Sequence, residues 1–284
     1  MPQKFGYLYN DFKMFHIKDE NQREFDFHYH DFHKILIFLQ GDVSYCVEGR
    51  NYELKPFDIV LVRAGEVHRP VIHSNSTYER IIIYISDQFL SEYQTDSYDL
   101  AQCFQTAARA HSHVLRMAAE QNNRLFACVQ QLELSYHEDD YADELNHQIL
   151  FLSFLIQLNR AAIHHKLAYI STGLYNRKIQ EILSFINQNL TSDLSIDTLA
   201  GQFFVNRYYL MHTFKAETGY SLKRYITIKR LLLSREMIEN GTGVTDCCYQ
   251  CGFQNYSTFS RAYHKQFGMS PRQSIQTKNA VLSE

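Results

Sequence analysis

The chain has 284 residues, of which 45% are hydrophobic and 21% charged, and a net charge of −3. That length suits about two domains, and no apolar run approaches the ~20 residues of a membrane helix, so a membrane partner is not expected. Six cysteines are too few for a disulfide framework, and no signal-like apolar stretch follows Met1, so free thiols and a cytoplasmic location are expected.

From Arg23 to Ser86 the pattern is short, β-branched and aromatic. The segments 23–30, 34–40, 42–48, 52–55, 58–64 and 78–86 read as strands, divided by turn-forming pieces such as Gln40-Gly41-Asp42 and Glu48-Gly49-Arg50. Strands this short and this closely spaced predict a sandwich or small barrel over residues 1–86. The character changes at 87–165, where 100–110, 124–136 and 144–166 lack internal Pro and Gly and carry helical spacing. Leu145, Ile149, Leu152 and Ile156 share one helix face, and Phe151, Phe154, Leu155 and Leu158 widen the apolar stripe. This helix is expected to pack on the barrel or on a second subunit, making 87–165 a helical linker and dimerisation segment. Lys166–Asn176 reads as a linker.

Residues 176–278 are expected to be all-helical, and the overall class α+β. Residues 176–284 carry a net charge of +5 and residues 1–175 one of −8, so the C-terminal stretch is the one suited to a polyanion. Two similar units occur there. In the first, 195–218, Ser195 caps a helix containing Leu199 and Ala200, Asn206 caps the next, and Gly219 stops it. In the second, 244–267, Gly252 supplies the turn, Asn255 the cap, Phe259 and Tyr263 the inner face, and Gly268 with Pro271 the end. Ser221 to Asn240 reads as one connecting helix of about 30 Å, close to one turn of B-DNA. Two helix-turn-helix units so spaced fit successive major grooves of double-stranded DNA.

The strings LA-x4-V-N-x3-L-x3-FK-x2-TG and GF-x2-YSTFSR-x-Y-x3-FG-x-SP resemble the AraC/XylS family of bacterial regulators over roughly 176–275. Asn206, Ser234, Cys247, Cys248 and Tyr263 depart from the usual residues without adding a buried charge or a proline. The resemblance implies control of transcription initiation, with RNA polymerase as a partner if the protein activates. It also implies base contacts at Tyr208, Met211, His212, Ser257, Thr258 and Arg261. Arg207 is a further reader by exposure, and Asn255 joins the DNA-contacting set at its cap. Lys215, Lys223 and Lys265 are phosphate candidates. Among these side chains, Arg261 suits bidentate contact to guanine.

Cys248, Cys251 and His264 have part of a zinc-finger spacing, but a second histidine is missing, so the cysteines read as packing residues. The N-terminal half resembles the cupin-like sensor domain common in the same family. Lys34 stands where a metal cupin has its Glu, and Phe57 where it has a Gly; an ammonium repels a cation, so neither metal nor other cofactor is expected. His28, His30, Lys34, Tyr45 and His68 become candidates for binding a small-molecule effector, such as a sugar or sugar acid. The expected protein is a homodimeric, non-enzymatic regulator. Two alternatives stand beside it: a metal-dependent cupin enzyme fused to a DNA-binding domain, and a regulator whose N-terminal half binds a protein.

Overall fold

The computed structural model describes residue 8 and residues 11–20, 24–117, 119–137, 140–164, 167–170 and 176–275. The chain divides between residues 175 and 176 into two compact units. The first is sheet-rich and the second helical, so the expected α+β class holds.

In the first unit β1 (Phe12–Asp19), β2 (His33–Gln40), β5 (Ile59–Val62), β7 (Tyr78–Ile85), β8 (Val114–Met117) and β9 (Leu167–Tyr169) form one sheet, ordered β1-β7-β2-β5-β8-β9. A second sheet is ordered β4-β3-β6, from β3 (Val43–Val47), β4 (Arg50–Glu53) and β6 (His68–Ile72). Side-chain alternation sorts the larger sheet into two faces. Ile35, Ile37, Ile59, Leu61, Ile81 and Ile83 pack under helices α1 (Asp87–Glu92), α2 (Gln102–Arg109), α3 (Ala119–Ser135) and α4 (Asp143–Ile163). Leu36, Phe38, Val60, Val62 and Ile82 instead meet Val43, Tyr45, Val47 and Tyr52 of the smaller sheet. Phe151, Phe154, Leu155 and Leu158 of α4 are completely buried against the first face, each contributing about 1.5–3 kcal/mol of apolar burial. The other stripe of α4 points outward: Leu145, Ile149 and Ile156 are exposed.

Several local expectations need correction. Within 24–30 bridging is confined to His28 and Tyr29, with His28 paired to His68. His28 and His68 exchange backbone bonds of 3.1 and 2.9 Å, and the next pairing position on β6 is Pro70, which has no N–H to continue the ladder. The Asp26 carbonyl accepts from His28 Nδ1 instead, at 2.9 Å. Arg23 lies outside the described residues. The fourth strand begins at Arg50, before the expected Tyr52, because Glu48 and Gly49 make the hairpin turn with φ of 48° and 72°. β1, β6, β8 and β9 were not anticipated. β8 interrupts the segment expected to be wholly helical, and β9 occupies part of the expected linker, most of whose remainder lies outside the described residues.

Asp58 explains how β8 is held. Its buried carboxylate takes a two-pronged contact from Arg116, Nε to Oδ1 at 2.7 Å and Nη2 to Oδ2 at 2.6 Å, the strong form of an ion pair. Beside it Phe57 adopts φ 71°, a left-handed conformation that a glycine takes more readily.

The second unit contains α5 (Arg177–Gln188), α6 (Ile196–Gln202), α7 (Arg207–Thr218), α8 (Leu222–Glu239), α9 (Val244–Gln250) and α10 (Tyr256–Phe267). Side-chain caps start five of them. Asn176, Ser195, Asn206, Ser221 and Asn255 each accept from the backbone N–H three residues on. Leu231 and Ile238 of α8 pack with Cys247, Cys248, Cys251, Phe259 and Tyr263. No helix among the described residues is long and apolar enough to cross a membrane.

Candidate functional site

Helices α7 and α10 each present a polar face held by a buried one. Leu210, Phe214 and Thr218 anchor α7, and Phe259 and Tyr263 anchor α10. Opposite them Arg207, Tyr208, Met211, His212 and Lys215 are exposed on α7, and Asn255, Ser257, Thr258, Arg261 and Lys265 at the start and along α10. Lys223 is exposed on α8. Several of these side chains have local partners. Arg207 pairs with Asp197 of α6, which ties it to the scaffold. Tyr208 and His212 stack at 5.8 Å. Arg261 Nε donates to the Ser257 carbonyl at 3.2 Å, leaving its terminal nitrogens toward solvent. Asn255 Oδ1 is engaged by the Thr258 N–H at 3.1 Å, so its first role is to start α10.

A residue that sequence reasoning missed ties the loop before the first helix-turn-helix unit to the turn of the second. Arg230, on α8, donates from Nε to the Leu190 carbonyl at 2.8 Å, from Nη1 to Gly252 at 2.8 Å and from Nη2 to Ser192 at 2.6 Å. Leu190 and Ser192 precede the first unit, and Gly252 is the turn of the second. Gly252 has φ 81°, and a Cβ there would lie 2.8 Å from the Arg230 guanidinium. The positive φ favours glycine, and any side chain there would have to displace the guanidinium from its place. An isolated arginine in a helix sequence carries no sign that its acceptors are loop carbonyls far along the chain.

The zinc spacing does not assemble: Cys248 and Cys251 are buried in the core, whereas His264 is exposed on α10.

The five candidate residues of the first unit do come together, between its two sheets. Lys34 lies on the inward phase of β2 with Leu36 and Phe38, and is only 5% exposed. Its Nζ donates to Tyr45 Oη at 2.9 Å and lies 3.5 Å from His68 Nε2. His68 Nδ1 donates to the Glu66 carbonyl at 2.9 Å. In the neutral ring this leaves Nε2 as an acceptor aimed at Lys34. His30 stacks on Phe32 at 4.6 Å, and Phe32 packs on Tyr84 at 4.5 Å. His28, half-buried, lies 4.4 Å from the His68 ring.

Burial dominates the ionisation of this cluster. It lowers Lys34 to about 7, with Arg80 adding repulsion. Burial and then Lys34 lower His28 to about 4, and the same two causes push His68 well below its ordinary value. The Tyr45 hydroxyl is raised well above its usual range by burial, and so remains a proton donor. Arg80 was not anticipated, although it occupies the inward phase of β7 with Ile82 and Tyr84, which was a legible signal. It pairs with Asp19 at 2.6 Å and lies 4.1 Å from the Tyr78 ring.

Ring nitrogens of His28, His30 and His68 fall within 4.8 Å of one another, a spacing from which a transition metal can be held. Lys34 stands against that use, since its amine leans on the His68 lone pair that a metal would take.

Comparison with known proteins places both halves. Residues 14–155 match the family described as "AraC-like ligand binding domain", and residues 199–276 match one described as "Helix-turn-helix domain". The transcriptional activator RhaS of Shigella boydii serotype 18 is 25% identical over 262 residues, covering 92% of this chain and 91% of its own. RhaS of Escherichia coli K12 is 24% identical over the same length and shares. Among solved structures, ToxT from Vibrio cholerae O395 is 18% identical with a TM-score of 0.36, covering 93% of this chain and 97% of that one. The DNA-binding domain of AdpA, determined with a target DNA, is 20% identical with a TM-score of 0.35, covering 36% and 92%.

Proposed function

From a chain that belongs to the AraC family of DNA-binding transcription regulators, we propose that α7 and α10 read adjacent major grooves and that the polar cluster of the first unit binds a small-molecule effector. The observation that carries the DNA reading is the pair of capped, outward-facing helices, with Arg230 of α8 bonded both to the loop before α6 and to the turn of the second unit. Tyr208, Met211, His212, Ser257, Thr258 and Arg261 meet base edges, while Lys215, Lys223 and Lys265 meet phosphates. Arg207 and Asn255 position these helices and touch the backbone of the DNA.

In the first unit a sugar or related metabolite occupies the space around His28, His30, Lys34, Tyr45 and His68, and its differential affinity for two arrangements of the protein sets the output. The outward stripe of α4 joins two copies of the chain. The protein acts in the cytoplasm, meets RNA polymerase if it activates, and performs no catalytic turnover.

Selection of bound fragments from genomic DNA by the purified protein tests the DNA reading; recovery of no common sequence would overturn it. A thermal-shift panel of sugars and sugar acids tests the effector reading, because a ligand of the folded state raises the midpoint. No shift across the panel favours a protein partner for this half instead.

A further inference from the structure

The amine of Lys34 is the chemical anomaly of the first unit. It is buried, and among the described residues no carboxylate pairs with it; its hydrogen-bond partners are the Tyr45 phenol and the His68 imidazole. An ammonium held this way lacks compensation for the water it has lost. Burial therefore favours the neutral amine, and the drop to about 7 agrees. A lysine desolvated beside another cation is an activated nucleophile; here the second cation is Arg80.

The neighbours complete the set. Tyr45 keeps its proton and can give one. His68 Nε2, fixed as an acceptor by the Nδ1 bond to Glu66, can take one. Nucleophile, donor and acceptor thus converge on one point between the sheets, and His28 stands half-buried beside them.

We propose that the first unit captures its effector through a reversible Schiff base, with Lys34 Nζ condensing on the carbonyl carbon of an aldehyde or ketone such as an open-chain sugar. The inference rests on the reading of this unit as an effector site and specifies the chemical class of its ligand. A C–N bond forms as the Nζ lone pair attacks, and the carbonyl electron pair moves to oxygen. One N–H proton passes to that oxygen by way of His68 Nε2 or the Tyr45 hydroxyl. The carbinolamine then loses its oxygen with the second N–H proton as one water, and the C=N bond forms. Hydrolysis by the reverse path releases the ligand, so no oxidant, reductant or further reactant enters.

The full chain, treated at neutral pH with acetaldehyde or glyceraldehyde and sodium cyanoborohydride, is digested and its lysines mapped by mass spectrometry. At neutral pH an amine of ordinary pKa is almost wholly protonated, so the Lys34 peptide should gain the reduced adduct at least ~10-fold faster than exposed lysines. Lys34→Met should lose that adduct and keep the surface labelling. Tyr45→Phe, which retains the amine, should label more slowly while its circular dichroism stays native. Labelling of Lys34 no faster than of surface lysines, in natively folded protein, overturns the proposal. A midpoint rise with a sugar but no Lys34 adduct overturns the covalent step alone. No rise with any carbonyl compound or sugar removes the effector reading beneath it.

Discussion

The two units place their polar chemistry in opposite environments. In the second, the candidate reading side chains project into solvent from helices whose caps and apolar faces do the folding. In the first, Lys34, Arg80, His30 and His68 are buried between sheets, so the same groups bear on stability and, in the proposed effector site, on binding. A substitution in the DNA-reading set should therefore change affinity without melting the fold, whereas one in the polar cluster should change both.

The sharpest way to break this division is Arg230→Ala, since Arg230 belongs to the second unit yet is structural. Loss of three charge-assisted bonds should cost about 3 kcal/mol or more in the C-terminal thermal transition, together with a large loss of specific DNA affinity. An unchanged melt would show that the clip contributes little. Arg261→Ala is the opposite case. Binding should weaken by about 1–3 kcal/mol and one base position relax, with the melting temperature unmoved; equal weakening on every sequence would make Arg261 a phosphate contact.

Lys34→Met tests the first unit. Above pH 7 the folded chain loses the Lys34 proton, while an unfolded lysine holds it to about 10.4. Stability of the natural protein should thus rise with pH across that window. The variant should flatten the rise and add about 1–2 kcal/mol at neutral pH. His28 acts at the acid end: with its folded value at about 4, stability should fall as pH drops from its ordinary 6.5 toward 4, and His28→Gln should reduce that loss. Asn255→Ala should cost about 1 kcal/mol through the lost α10 cap. The smallest effect belongs to Lys265→Ala, read as a decrease of about 1 in the salt slope of DNA binding.

Local signals made the second unit legible. Ser195, Asn206, Ser221 and Asn255 announce helix starts within a few residues of the helices they cap, and they occupy those positions. The first unit was legible where short β-branched and aromatic runs lie between turn residues, as β2 does between Asp31 and Gly41. It was not legible where pairing is set from a distance. β8 is short and joins the sheet through β5 and the Arg116–Asp58 contact, separated by 58 positions in the chain. The segment 24–30 has a strand-like composition, yet Pro70 on its partner prevents a ladder. The α4 pattern announced one wide apolar stripe without saying which part of it the first unit buries.

The Arg230–Gly252 contact also bears on the DNA that such a protein tolerates. A flexible pair of reading heads would accept half-sites at several separations. The Arg230 guanidinium ties the loop before α6 and the turn at Gly252 to one helix, α8, which favours a single separation. One base pair inserted between the two recognised segments moves the second by about 3.4 Å and rotates it around the duplex. With α8 one unbroken helix from Leu222 to Glu239, a protein that reads both segments as proposed should lose affinity when their spacing changes.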